Sequence, residues 1–176
     1  MHVPISGASV GKTVFLLIAM TFALGACTPG IAAKRPAERS AIKEMVAREA
    51  VNLGVPVSLA LAVAHAESNF DPRAESHVGA RGVMQIMPAT ARSEYGIRGD
   101  QLWKPRLNIR IGLHFLKRLI YRYRGRVDFA LSYYNGGSAV GEWPNARIIP
   151  STVNYVMKVR RLQQYYRVRL AQGSRI

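Results

Sequence analysis

PVSLALAVAHAES, residues 56–68, is apolar almost all the way round a helix. A proline suits the first turn of a helix, where no backbone N–H is needed, and a helix without a polar side belongs in a protein core. One acidic residue, Glu67, lies in the predicted last turn. The stretch therefore predicts a buried central helix that ends with a carboxyl group.

Helical periodicity continues on both sides of this stretch. Apolar residues at three- and four-residue spacing predict further helices at 42–53, 88–95, 105–123, 127–135 and 151–170. The segment 69–82 contains Asp-Pro and two glycines, which is typical of a loop. No strand pattern or internal repeat competes with the helices. Since 176 residues suffice for one core, we expect a mainly α, single helical domain.

The chain is strongly basic, with 25 Lys and Arg residues against 10 Asp and Glu residues and a formal net charge of +15. Such a surface attracts polyanions, among them nucleic acids, anionic lipid headgroups and the acidic cell wall. Charge alone does not separate these partners. The compartment in which the protein works must decide between them.

The N-terminal residues indicate that compartment. Residues 14–26, VFLLIAMTFALGA, form an apolar run that follows Lys12 and is too short for a stable transmembrane helix. We therefore predict a signal peptide at 1–26, a tether at 27–37 and a folded domain at 38–176. Because an exported chain does not meet nucleic acid, lipid and cell wall remain as the expected anionic partners.

Leu24-Gly25-Ala26-Cys27 ends the apolar run and resembles the bacterial lipobox, in which the cysteine is lipidated. Cys27 is the single cysteine of the chain, so an intramolecular disulfide is impossible. We predict that Cys27 is acylated and anchors a periplasmic lipoprotein, with ordinary signal cleavage beside an unmodified cysteine as the alternative. By resemblance to Gram-negative lipoproteins, Thr28 in place of Asp favours the outer membrane.

Glu67 is the clearest candidate for a residue that takes part in chemistry. Burial disfavours a charged carboxylate, and the negative end of the helix dipole disfavours it further, so both effects should raise the pKa of Glu67. A carboxyl group that stays protonated near neutral pH can act as a general acid on a glycosidic oxygen. The alternative is a glutamate that turns out into solvent at the helix end.

Three ordered segments resemble those of the family 1 lytic transglycosylases, represented by the soluble lytic transglycosylase catalytic domain. They are ESNFDP at 67–72 with Ser76 and GARGVMQIMPAT at 79–90, ALSYYNGG at 130–137, and NYV at 154–156. The resemblance covers about residues 40–167 and departs from the family at Tyr133 and Gly136, where the family has alanines. It implies a lysozyme-like helical domain with a glycan-binding groove, and an enzyme that degrades peptidoglycan.

Carried onto this sequence, the resemblance implies that Glu67 is the single catalytic acid/base. Hydroxyl and amide groups beside it would orient sugar hydroxyls and N-acetyl groups, while Met and Tyr side chains would offer apolar surface to sugar rings. The residues expected to line the two walls of the groove are Ser76, Gln85 and Met87 on one side, and Tyr134 and Asn135 on the other.

The resemblance also implies the reaction. Enzymes of this family cleave the MurNAc–GlcNAc β-1,4 bond without water and release 1,6-anhydro-muramyl products. Two alternatives stay open: a goose-type-lysozyme-like hydrolase, which delivers water to the sugar, and a non-catalytic assembly protein of the cell wall or a secretion apparatus. Asp71, which precedes Pro72, is expected to form a turn rather than to act as a second catalytic carboxylate.

Other residues that could carry chemistry are given structural interpretations. His65 points away from Glu67 on a helix and is expected to pack or to face solvent, and Met84 is expected in the core. Trp103 and Trp143 could either stack on sugars or anchor the core. With no Cys/His cluster and no calcium loop, we expect no metal and no cofactor. The expected partners are peptidoglycan glycan strands, the membrane through the lipid anchor and, as a hypothesis, cell-envelope machinery.

Overall fold

The computed structural model describes residues 29–174. Within that part of the chain lie six α-helices joined by turns and short 3-10 segments. The helices are α1 (Pro29–Leu53), α2 (Val57–Ser68), α3 (Pro88–Tyr95), α4 (Pro105–Arg122), α5 (Val127–Gly136) and α6 (Val153–Ala171). The 3-10 segments are Gly99–Trp103, Gly137–Val140 and Pro150–Thr152.

Helix α2 forms the centre of the core. Every residue from Leu59 to Ala64 is buried, because α6 packs along one side of the helix and α1 along another. Helix α4 packs against α1 and α5 and contributes Ile109, Leu113 and Leu116 to the same core. Each fully buried aliphatic side chain stabilises such a core by roughly 1.5–3 kcal/mol. Glu67 is therefore fixed in place by α2, the least polar helix described, which is buried in the core.

The mainly α fold class is confirmed, and helices α2 to α6 lie within about two residues of their predicted bounds. Helix α1 differs, since it begins at Pro29 and contains Pro36, whereas apolar spacing predicted a start at Ile42. Spacing reveals only the part of a helix that is buried, and within residues 36–53 of α1 the first buried residue is Ile42. The helix thus runs through most of the segment 27–37, whose role as a tether stays a prediction.

The predicted signal peptide at 1–26 and Cys27 lie outside the described residues. Within residues 29–174, no helix combines the length and the apolar character needed to cross a membrane.

Candidate active site

Helix α2 ends in a tight turn directly after Glu67. Asn69 and Phe70 both adopt left-handed backbone conformations, with φ of 51° and 64°. Such a conformation is costly for an aromatic residue. Burial of the Phe70 ring and the hydrogen bond from the Asn69 N–H to the His65 carbonyl, 3.1 Å long, stabilise the turn. The Ser68 hydroxyl then donates to the Val83 carbonyl at 2.8 Å and ties the end of α2 to the following loop.

Glu67 is partly buried and lies against helix α6. The Tyr155 hydroxyl donates a hydrogen bond to Glu67 Oε1 at 2.5 Å. One turn further along α6, Lys158 Nζ donates to the Ala66 carbonyl at 2.8 Å, at the negative end of the α2 dipole. The Glu67 carboxyl group is therefore oriented by a tyrosine and has a cation nearby.

The pKa of Glu67 is raised from 4.5 to about 7. Burial is the largest cause, and it outweighs the hydrogen bond from Tyr155 and the positive charge of Lys158, both of which favour the carboxylate. A carboxyl group with a pKa near 7 is substantially populated in both protonation states at neutral pH. Glu67 can therefore both donate and accept a proton within one reaction.

Tyr134 lies near Glu67 on the side of helix α5. Its hydroxyl donates to the Met84 carbonyl at 2.8 Å. Burial, followed by the charge of Glu67, raises the pKa of Tyr134 well above its ordinary value, and the pKa of Tyr155 rises for the same two reasons. Both tyrosines therefore remain neutral hydroxyl groups beside the carboxyl at any physiological pH.

The loop between α2 and α3 is built onto helix α4 through Asn108. The fully buried Asn108 amide donates to the Arg81 carbonyl at 2.7 Å, and its Oδ1 accepts the Met84 N–H at 2.8 Å. A Cβ on Gly112, one turn along α4, would lie 2.5 Å from the Cβ of Met84. Only glycine lets α4 pass this close to Met84. Asn108 and Gly112 together therefore fix how closely the loop between α2 and α3 packs on α4.

Ser76 and Gln85 hold the loop together. The Ser76 Oγ accepts the Ala80 N–H at 3.0 Å, which closes a turn. Gln85 has a left-handed φ of 46°, and its Nε2 donates to the Ala74 and Gly82 carbonyls at 3.0 and 2.9 Å. The amide nitrogen of Gln85 is thus committed to the loop backbone. The role of both residues in binding glycan stays a prediction.

The remaining groove predictions fall at exposed positions. Met87 precedes the first turn of α3 with 37% of its surface exposed, and Asn135 is exposed in the last turn of α5. Met84, by contrast, is fully buried, as predicted. The structure thus brings Tyr134 close to Glu67, while contact of Met87 and Asn135 with glycan stays a prediction.

Tyr155 is the site residue that the sequence analysis did not single out. The signal was present, because Tyr155 is the central residue of the NYV segment at 154–156. Its role became visible only when the fold placed its hydroxyl against Glu67, 88 residues away along the chain.

The other titratable neighbours of Glu67 along the chain are committed elsewhere. His65 packs as expected, with its Nδ1 hydrogen-bonded to the Tyr166 hydroxyl at 2.9 Å. Asp71 forms the predicted turn by accepting the Arg73 N–H at 2.8 Å. Glu75 pairs with the Arg81 guanidinium at 3.1 Å, and that guanidinium also lies over the ring of Trp103.

Comparison with known proteins gives a consistent family. Residues 44–155 match the family described as Transglycosylase SLT domain. The chain is 38% identical over 90 residues to the soluble lytic murein transglycosylase of Escherichia coli strain K12, a match that covers 47% of this chain and 14% of the relative. It is 41% identical over 85 residues to the transglycosylase of Enterobacteria phage PRD1, which covers 48% of this chain and 31% of the relative.

The fold agrees with a solved structure of the same kind. An inactive mutant of the lytic transglycosylase Slt from Pseudomonas aeruginosa superposes with a TM-score of 0.63 at 29% identity, covering 73% of this chain and 24% of that protein. This chain therefore spans less than a third of the length of each of these three relatives. The family match covers more than half of the chain, and the protein belongs to the Transglycosylase SLT domain family.

Proposed function

We propose that this protein is a peptidoglycan lytic transglycosylase that cleaves the MurNAc–GlcNAc β-1,4 bond with Glu67 as its single acid/base. The observation that carries this proposal is a carboxyl group with a pKa of about 7, fixed at the end of a buried helix. The names of the relatives support the reaction class. In the Pseudomonas relative, an inactive enzyme results from a glutamate-to-glutamine change.

The hydrogen bond from Tyr155 assigns the two oxygens of Glu67 different roles. Because Oε1 accepts the Tyr155 hydroxyl, Oε2 is the oxygen that carries the proton. In the first half of the reaction, Oε2 protonates the glycosidic oxygen as the bond to the muramyl C1 breaks. The substrate's N-acetyl group stabilises the oxocarbenium-like centre that results.

In the second half, the Glu67 carboxylate removes the proton from the muramyl C6 hydroxyl. The C6 oxygen attacks C1 of the same sugar, and the 1,6-anhydro bond forms as Glu67 regains its proton. No water is consumed. A single group can serve both halves because its pKa near 7 makes proton donation and proton removal comparably accessible.

The acids that follow Glu67 along the chain support this reaction over hydrolysis. Most glycosidases use a second carboxylate as nucleophile or base. Asp71 accepts the Arg73 N–H of its own turn, and Glu75 is paired with Arg81, so both of these carboxylates already have partners.

Product analysis tests the reaction directly. Purified glycan strands digested by the wild-type protein should yield fragments that end in 1,6-anhydro-muramyl residues, each one water lighter than a hydrolysis product. Mass spectrometry of the separated fragments distinguishes the two. Reducing-end muramic acid as the main product would assign the protein to the lysozyme-like hydrolases, and absence of fragments would favour an assembly role.

We also propose that the protein is exported and held at the membrane through an acylated Cys27, with the outer membrane as its location. Several acyl chains at one cysteine would hold it firmly, whereas one chain gives only marginal binding. Cys27→Ser should therefore move the protein from the membrane fraction to the soluble fraction or block its processing. Wild-type protein that is soluble and carries an unmodified Cys27 would contradict the anchor. Contact with cell-envelope machinery stays a prediction.

A further inference from the structure

Helix α6 carries an unusual concentration of positive charge. Its nineteen residues contain no acidic side chain and five basic ones, Lys158, Arg160, Arg161, Arg167 and Arg169. The same helix exposes large apolar side chains. The exposed fractions are 41% for Val153, 54% for Met157, 50% for Tyr165 and 44% for Val168. Exposed apolar residues beside cations suit a partner that offers both anionic groups and apolar surface.

One side of α6 forms a continuous exposed surface. The buried residues of α6 are Val156, Val159, Gln163 and Tyr166, which face α2 and the core. On the opposite side, exposed residues recur every three or four positions and therefore line up along the helix. We call this surface the outer α6 face and define it by Val153, Met157, Arg161, Gln164, Tyr165 and Val168, with the exposed Arg167 at its edge.

The charges of α6 are not all engaged within the protein. Arg160 pairs with Asp128 at 3.2 Å, and Lys158 caps the end of α2. Arg161 and Arg167 are exposed, and neither has an ion pair within residues 29–174. Two cations are thus presented to solvent, one on the side of Met157 and Val168 and the other, Arg167, at the edge of that side, on a helix with no acidic residue to neutralise them.

The combination fits an anionic bilayer better than a sugar polymer. A bilayer surface offers acidic headgroups to arginine side chains, and the apolar boundary beneath them accepts side chains such as Met and Val. An anionic glycan strand also supplies charge, and its sugar rings can pack on Met or Tyr, but it has no apolar layer to receive the exposed Val153 and Val168. Charge complementarity and exposed apolar area therefore point to the same partner.

We propose that the outer α6 face docks on an anionic phospholipid bilayer, with Arg161 and Arg167 at the headgroups and Met157 and Val168 at the apolar boundary. This contact is separate from any acyl chain at Cys27 and does not depend on catalysis. Tyr155, which contacts Glu67, lies on the inner side of the same helix. A docked domain would therefore keep its catalytic carboxyl turned away from the lipid.

Vesicle binding by the full chain with Cys27→Ser tests the proposal without acyl chains. Co-sedimentation should show at least about tenfold tighter binding to vesicles containing phosphatidylglycerol than to vesicles of phosphatidylcholine alone, and added salt should reduce this preference. Arg161→Gln with Arg167→Gln should weaken binding to the anionic vesicles about tenfold or more. Met157→Ser with Val168→Ser should also weaken it, because the apolar contact is lost.

The matched control is Arg48→Gln with Arg110→Gln, which removes the same charge from exposed positions on α1 and α4. This control should bind anionic vesicles nearly as well as the parent. Equal binding to the two kinds of vesicle, or equal losses in the two arginine pairs, would overturn the proposal. Parent-like vesicle binding by the Met157→Ser, Val168→Ser variant would also overturn it. The same holds if the Arg161→Gln, Arg167→Gln variant loses binding to isolated glycan strands but keeps binding to vesicles.

Thermal unfolding of each variant separates a binding defect from a folding defect. The rate at which soluble glycan fragments are cleaved is measured separately, and all these variants should cleave them at the wild-type rate. A protein that binds anionic vesicles but cleaves no glycan would refute the proposed function and leave the docking proposal standing. A protein that cleaves glycan but does not prefer anionic vesicles would refute the docking proposal and leave the proposed function standing.

Discussion

Glu67→Gln is expected to lower the turnover of glycan strands by about 10³-fold or more. General acid catalysis alone contributes about 10²–10⁴ in rate, and in the proposed mechanism one group serves both halves of the reaction. Glutamine keeps the shape of the side chain and can still accept the Tyr155 hydrogen bond, but it has no proton to donate. The loss should therefore appear in the rate of fragment release at saturating substrate.

The control for this variant is Glu75→Gln, which makes the same chemical change at a partly exposed glutamate paired with Arg81. Its turnover should stay within a few-fold of wild type. A folded Glu67→Gln protein with near wild-type turnover would refute the catalytic assignment. An unfolded Glu67→Gln protein would show instead that Glu67 is needed for structure.

The same substitution should change the pH dependence of stability. The pKa of Glu67 is about 7 in the folded protein against 4.5 for an ordinary glutamate, so the folded state binds more protons between these values. The free energy of unfolding therefore falls as pH rises from about 4.5 to 7. Glu67→Gln removes this loss and should be more stable than wild type by about 1–3 kcal/mol at high pH, with no gain at low pH. Urea unfolding at both extremes measures the difference.

Asn108→Ala should produce the largest loss of stability, about 2–4 kcal/mol in the free energy of unfolding. The substitution leaves the buried Met84 N–H without its partner and removes one of the two hydrogen bonds that the Arg81 carbonyl accepts, the other coming from the Ile86 N–H at 3.0 Å. An unsatisfied buried group costs about 1–3 kcal/mol, and the loss of one further hydrogen bond costs about 0.5–1.5 kcal/mol. Because these bonds hold the loop above α4, turnover should also fall under conditions where the variant is still folded. Urea titration followed by circular dichroism measures the stability change.

Asn52→Ala is the matched control, since Asn52 is an exposed residue of helix α1. Removing an exposed asparagine from a helix should leave stability within about 0.5 kcal/mol of wild type. Equal stability of the two variants would mean that Asn108 does not support the loop. If Asn108→Ala fails to fold, Asn108→Asp retains the acceptor for the Met84 N–H and allows the donor to be tested alone.

The helices were predictable from sequence because burial imposes a repeating pattern on it. Prolines and glycines then marked helix ends, as at Pro88 and Pro105. Helix α1 shows the limit of this reasoning, since the sequence of its first residues has no apolar spacing that predicts a helix. The 3-10 segments were likewise too short to produce a period.

The candidate site was predictable in part, because the resemblance to the family, rather than the lone glutamate itself, singled out Glu67. The hydrogen-bond commitments of its neighbours were not predictable. The Ser76 hydroxyl and the Gln85 amide are polar groups suited to sugars, yet the fold uses both to close a loop. Asn108 gave no signal at all, because a buried asparagine and an exposed one read alike until the chain around them is folded.

The bonds that complete the site join residues far apart along the chain. Glu67 and Tyr155 are separated by 88 positions, and Met84 and Tyr134 by 50. Contacts between distant residues carry a large loop-closure entropy and form late in folding. A partly synthesised or partly folded chain thus possesses Glu67 but not the enclosure that raises its pKa. The proposed chemistry of Glu67 would then become available only after α6 has docked on α2.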